Sequence, residues 1–259
     1  MAVEQQVGEA SVLGIFRGPA AYVARTPWGP FSALLAAIII VALGIISGLL
    51  LIFWGGITPA PPSSSGQWDI STLFILGTWQ VTVIILVLLA SARGGGTISS
   101  TLALRPPAGG ARVYVIAPLL MLALQVVVGI VQYNLTDRDI YVDLRPFVGF
   151  AKGSQWPLAL AIIGLGAPLS EELLIRGFLL SALARSRLGF AGAALVTTTI
   201  WAGLHAGYST VGLAEVFLIG LFFSWLLWRT GSLRVTIFCH ALYNSLVLLT
   251  LRFAALPSG

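Results

Sequence analysis

The run FSALLAAIIIVALGIISGLLLIFW, Phe31 to Trp54, carries no charged residue. A helix of about 20 apolar residues crosses the roughly 30 Å hydrocarbon layer of a bilayer. This run is long enough, and it exceeds the apolar stretch of an ordinary cleavable leader. It reads as a retained membrane helix. Six further stretches have enough apolar length, near 70–92, 112–133, 156–183, 190–208, 212–229 and 233–252. The fold class they predict is an all-α, multi-pass transmembrane helical bundle of about seven spans, or eight.

Composition agrees with that reading. Charged residues make up 9% of the 259, against roughly 25% in an ordinary soluble chain, and mean hydropathy is +0.96. So few charges cannot cover a soluble core. Cys239 is the single cysteine, which excludes a disulfide within the chain and a cysteine-based zinc cluster. The net charge of +5 is spread between apolar runs rather than gathered on one surface, so no nucleic-acid partner is expected. The partner of most of this surface is the lipid bilayer.

Between the spans, PAPPSSSG at Pro59–Gly66 cannot continue a helix and forms the first loop. Gly94–Gly110, with Pro106 and Pro107, reads as a flexible link. The segment 134–155 holds the densest charge, Asp137, Arg138, Asp139, Asp143, Arg145 and Lys152, and has room for an interfacial helix. Counting cations by loop puts nine on one side (Arg17, Arg25, Arg93, Arg105, Arg112, Arg185, Arg187, Arg229, Arg234) and four on the other (Arg138, Arg145, Lys152, Arg252). Positive charge marks the cytoplasmic side, which predicts a cytoplasmic N-terminus.

Function is written in the polar residues inside the spans, which are costly in lipid and are functional candidates by default. The fourth span carries Glu171, Glu172 and Arg176. Three charges cost about 8–10 kcal/mol, while the thirteen Leu, Ile and Phe from Leu158 to Leu183 return only about 4–8 kcal/mol. Its charged face must therefore be shielded by other helices or by water. Glu172 and Arg176 are i,i+4 in the order that favours an ion pair, whereas Glu171 is rotated about 100° away. Pro168 loosens the turn reaching back to Gly164, so a helix restarting with Ser170 as cap and both glutamates in its first turn is expected. A buried packing network would use the same three charges.

On the fifth span Trp201 and His205 are i,i+4, and Gly203 and Gly207 form a small-xxx-small pattern that invites a neighbouring helix. On the seventh, Thr236, His240 and Asn244 recur every four residues as one polar stripe. Such a stripe serves oxyanion binding, water or metal ligation, or equally interhelical hydrogen bonding. Glu215 reads as an acid near a membrane interface with no special role.

The three groups, EELLIR at 171–176, WAGLH at 201–205 and HALYN at 240–244, resemble the motifs of the CAAX protease and bacteriocin-processing (Abi) family of intramembrane endopeptidases. The similarity covers about 155–250, that family's four-helix core, within a catalytic domain of 151–259. Residues 1–150 read as accessory helices and loops. Trp201 stands where the family usually has Phe, a change expected to affect little but pocket size.

The resemblance implies hydrolysis of a peptide bond in a membrane-associated peptide or protein, a prenylated C-terminus among the candidates. It implies Glu171 as general base to a water held with His205, Glu172 and Arg176 as a brace, and His240 and Asn244 at the oxyanion. Glu171, His205 and His240 as ligands of a zinc ion are the alternative to a metal-free site. The eukaryotic relatives imply a cavity opening to the cytoplasm; the expected setting is a prokaryotic cell membrane rather than the endoplasmic reticulum. No H-E-x-x-H, G-x-S-G or G-x-G-D motif of other intramembrane proteases occurs. A proton-coupled transporter and a non-catalytic partner-binding protein are the competing functions.

Overall fold

The computed structural model describes residues 19–57, 70–93, 96–135 and 141–253. The Pro59–Gly66 loop, Arg17, and Asp137, Arg138 and Asp139 lie outside them. The described residues are helical, without strands: α1 Pro30–Phe53, α2 Ile70–Ser91, the short α3 Ile98–Thr101, α4 Val113–Leu135, α5 Arg145–Lys152, α6 Trp156–Leu183, α7 Gly189–Gly203, α8 Thr210–Thr230 and α9 Leu233–Phe253. Six of these, α1, α2, α4, α6, α8 and α9, are long and apolar enough to cross a membrane; α7 is a shorter apolar helix. About seven spans follow, in an integral multi-pass membrane protein.

Helix α6 is the axis of the bundle. From Glu172 to Leu183 every residue is buried, so the charges of Glu172 and Arg176 are shielded inside protein, as their cost in lipid requires. Helices α1, α2, α7 and α9 surround this half. The peripheral helices leave Ile38, Ile45, Val115, Leu119, Val126 and Ile130 at the surface, where lipid covers them. Small residues set the close contacts: a side chain at Gly44 of α1 would lie 2.7 Å from the Trp79 ring of α2.

The restart expected at Pro168 does not occur, and Ser170 is not a cap. Its hydroxyl donates to the Ala167 carbonyl, 2.9 Å away, and the backbone runs helically through the proline. Two π turns, Leu160–Gly166 and Glu172–Leu179, widen the helix on either side of Ala167–Glu171. Widening gives the proline ring room against the preceding turn without breaking the rod, and π turns of this kind concentrate at functional sites.

The fifth span ends early. Helix α7 stops at Gly203, and residues 204–208 form tight turns in which His205 N–H donates to Ala202 O and Tyr208 N–H to His205 O, both at 2.9 Å. Gly203 and Gly207 contact no neighbouring helix; a side chain at either would meet open space. Both lie at the chain reversal into α8, which Ser209 caps by accepting from Gly212 N–H at 3.1 Å.

The Gly94–Gly110 link is tied down where it is described. Leu102 and Ala103 are buried, Leu233 N–H donates to Ala103 O at 2.9 Å, and Ala108 N–H to Thr230 O at 2.8 Å. The charge-rich segment holds α5, as its composition suggested.

Candidate active site

The two adjacent glutamates of α6 are sent to different environments. Glu172 is wholly buried; its Oε1 accepts from Arg176 Nη1 at 2.9 Å and lies 3.1 Å from His240 Nδ1. Arg176 is equally buried, with its guanidinium 4.2 Å from the centre of the Trp201 ring and 5.7 Å from that of Phe223. Gly220 of α8 makes the room: a side chain there would come within 3.0 Å of both Arg176 and Trp201. The cost of three charges in one span is thus offset by an ion pair, a cation–π contact and burial inside protein rather than lipid.

Glu171, one residue earlier, points the other way and is only half-buried. Its Oε2 accepts from the Trp201 indole N–H at 2.6 Å, while Oε1 has no hydrogen bond among the described residues. It faces a cavity of about 280 Å3 that His205, His240 and Asn244 also line. Trp201 is the pivot of this cluster, with ring centres 5.1 Å from His205 and 5.6 Å from His240.

Hydrogen bonds orient the remaining side chains. His205 Nδ1 lies 2.9 Å from Trp201 O, and a carbonyl can only accept, so Nδ1 is the donor there and Nε2 is the ring nitrogen left for the cavity. His240 stacks on Phe223 with centres 4.9 Å apart. Asn244 Nδ2 donates to Ile163 O, 3.2 Å away inside the first π turn, which leaves its second N–H unused. The stripe on α9 therefore faces α6, with Thr236 at its buried end donating to Leu233 O at 2.9 Å rather than lining the cavity.

Three features escaped the sequence reading. Glu215 lines the same cavity, hydrogen-bonded by Gln132 of α4 and, at 3.3 Å, by the Tyr243 hydroxyl of α9. It is not a bland interfacial acid. The available signal was Gln125 and Gln132, seven residues apart and therefore on one face of α4, both of which line the cavity. Asp143 also lines it and accepts from Ser209 N–H and Oγ–H, both at 2.7 Å, clasping the turn before α5 to the start of α8. Tyr208 stands edge-on to His205, 5.4 Å between ring centres. Burial, with Glu171, Asp143 and Glu215 nearby, pushes the Tyr208 hydroxyl up to about 12, so it stays a proton donor at neutral pH.

The Phe-to-Trp departure matters more than pocket size, because only an indole can donate to Glu171. A Trp201→Phe protein keeps a ring over Arg176 but loses that hydrogen bond. Kinetics should show kcat reduced roughly tenfold, the worth of one charge-assisted bond; an unchanged kcat would mean the indole does not orient the carboxylate.

Among the described residues no group of three His, Cys, Asp or Glu side chains is placed to hold a metal ion. In each histidine Nδ1 is held by a protein acceptor, Trp201 O for His205 and Glu172 Oε1 for His240, so Nε2 is the ring nitrogen left for water or a ligand.

The cavity lies toward the end of the bundle that holds Asp143 and Ser209. That is the end opposite the arginine-rich links, so a cytoplasmic arginine-rich end and a cytoplasmic cavity mouth cannot both hold.

Residues 153–246 match the family model described as type II CAAX prenyl endopeptidase Rce1-like. The matched segment runs from just before α6 into α9 and includes all three motifs, so the family resemblance read from those motifs stands for this part of the chain. By its description that family is one of CAAX prenyl endopeptidases, and the match supports a CAAX-type intramembrane protease over that segment. Neither the curated proteins nor the solved structures gave a match.

Proposed function

We propose that the chain is an intramembrane endopeptidase in which Glu171 activates water without a metal. The observation that carries this is the separation of the paired glutamates. Glu172 is consumed by Arg176 and His240, while Glu171 presents a free oxygen to a polar cavity within the bundle. A transporter has no need of that asymmetry beside two histidines and a carboxamide.

Water held between Glu171 and His205 Nε2 attacks the scissile carbonyl carbon, and its proton passes to Glu171. The oxyanion so formed is met by the free N–H of Asn244 and by His240. As the carbon–nitrogen bond breaks, Glu171 returns the proton to the leaving amine. Trp201 aims the carboxylate, and Arg176 fixes Trp201 and Glu172. The setting is a prokaryotic cell membrane with the N-terminus in the cytoplasm.

The test is a fluorogenic membrane-peptide library in detergent or liposomes. His205→Ala and His240→Ala should each lose about 10²-fold or more of the wild-type rate, and exhaustive chelation should leave it unchanged. Full activity in either variant rejects the assigned roles. Loss of activity on chelation, restored by zinc, rejects the metal-free chemistry.

A further inference from the structure

The position of the cavity between the two ends of the bundle bears on where substrate comes from. One end is a woven layer. Arg105 Nε donates to Gly231 O at 3.1 Å, Arg234 Nε to Leu104 O at 3.0 Å, Arg185 Nη1 to Thr26 O, and the Trp28 indole to Ala90 O at 3.0 Å. These bonds bring the chain before α1, the end of α2, the α3–α4 link, the α6–α7 turn and the α8–α9 turn to one level. That level carries Arg25, Arg93, Arg105, Arg112, Arg185, Arg187, Arg229 and Arg234.

The other end is defined by the Asp143–Ser209 clasp and by Arg252, whose Nη1 reaches Lys152 O at 2.8 Å. Among described residues it carries only Arg145, Lys152 and Arg252 as full cations. The lining of the cavity comes from this half. It includes the last part of α4, residues 141–144 before α5, the turn at 208–209 and the first half of α8, and nothing from the arginine-rich layer. On α8 it ends at Ile219, eleven residues and about 16 Å short of Thr230.

Short loops rich in Arg and Lys stay in the cytoplasm. We infer that the cavity opens to the extracytoplasmic face, so that the substrate is a segment of an exported or membrane-anchored protein presented from outside, not a cytosolic prenylated C-terminus. The nature of the reaction rests on the endopeptidase reading; the face does not.

Single cysteines placed in a Cys239→Ala background read the face directly, with a membrane-impermeant maleimide on intact expressing cells. Ser154→Cys, exposed between α5 and α6 at the cavity end, should react in intact cells. Ser99→Cys, exposed in the arginine-rich layer, should react only after permeabilisation. Reaction of Ser99→Cys in intact cells, or of Ser154→Cys only after permeabilisation, overturns the inference. A C-terminal alkaline phosphatase fusion, which folds only outside the cytoplasm, reads the same face through α9. It should be active if the inference holds, and an inactive but accumulated fusion counts against it. These readouts do not depend on proteolysis, so an outward-facing protein that cleaves nothing would refute the proposed reaction alone.

Discussion

Glu171→Gln protein is expected to insert and melt like the wild type while its turnover falls by roughly 10²- to 10⁴-fold, the usual worth of a general base. The substitution is nearly isosteric. It keeps an oxygen for the Trp201 indole N–H and sits half-buried at a cavity, so no buried cation is left uncompensated. What it removes is the capacity to take a proton from water. KM should change little, because the carboxylate's task is done after substrate has bound. A Glu171→Gln enzyme with more than about a tenth of the wild-type kcat would be incompatible with the proposed chemistry.

The neighbouring residue should behave in the opposite way. Glu172→Ala leaves Arg176 wholly buried and unpaired, and takes the partner from His240 Nδ1. Breaking a buried ion pair by removing one member costs about 3–5 kcal/mol. Thermal unfolding in detergent should therefore show a clear loss of stability, with activity falling as a consequence of displaced His240 and Trp201. A Glu172→Ala protein as stable as the wild type would mean that water or another group already compensates Arg176. Two adjacent glutamates thus give separable outcomes, one in rate and one in stability, which a generic acidic patch would not.

Much of this was legible in the residues themselves. The i,i+4 spacing of Glu172 and Arg176 already assigned them to each other and left Glu171 apart, because helix geometry alone decides which side chains can meet. The apolar lengths gave the helices α1, α2, α4, α6, α8 and α9 nearly to their ends. What was not legible depends on tertiary contact. Pro168 suggested a break, because local chemistry does not reveal that two π turns absorb it. Gly203 and Gly207 fit a helix-packing motif, yet small residues occur at helix ends equally well, and here they lie where α7 stops and the chain reverses. Trp201 looked like a bulky substitute for Phe, since nothing local shows that its N–H reaches a carboxylate thirty residues earlier. Glu215 was dismissed because its partners, Gln132 and Tyr243, come from helices distant in sequence.

In the proposed reaction one carboxylate, Glu171, in a cavity shared with His205, His240 and Asn244, cuts peptide bonds. The most direct test compares the new protein N-termini in membranes of cells producing the wild type with those producing Glu171→Gln at equal abundance. A set of new termini present with the wild type and missing from the variant is the predicted result. Identical termini in both membranes would contradict it.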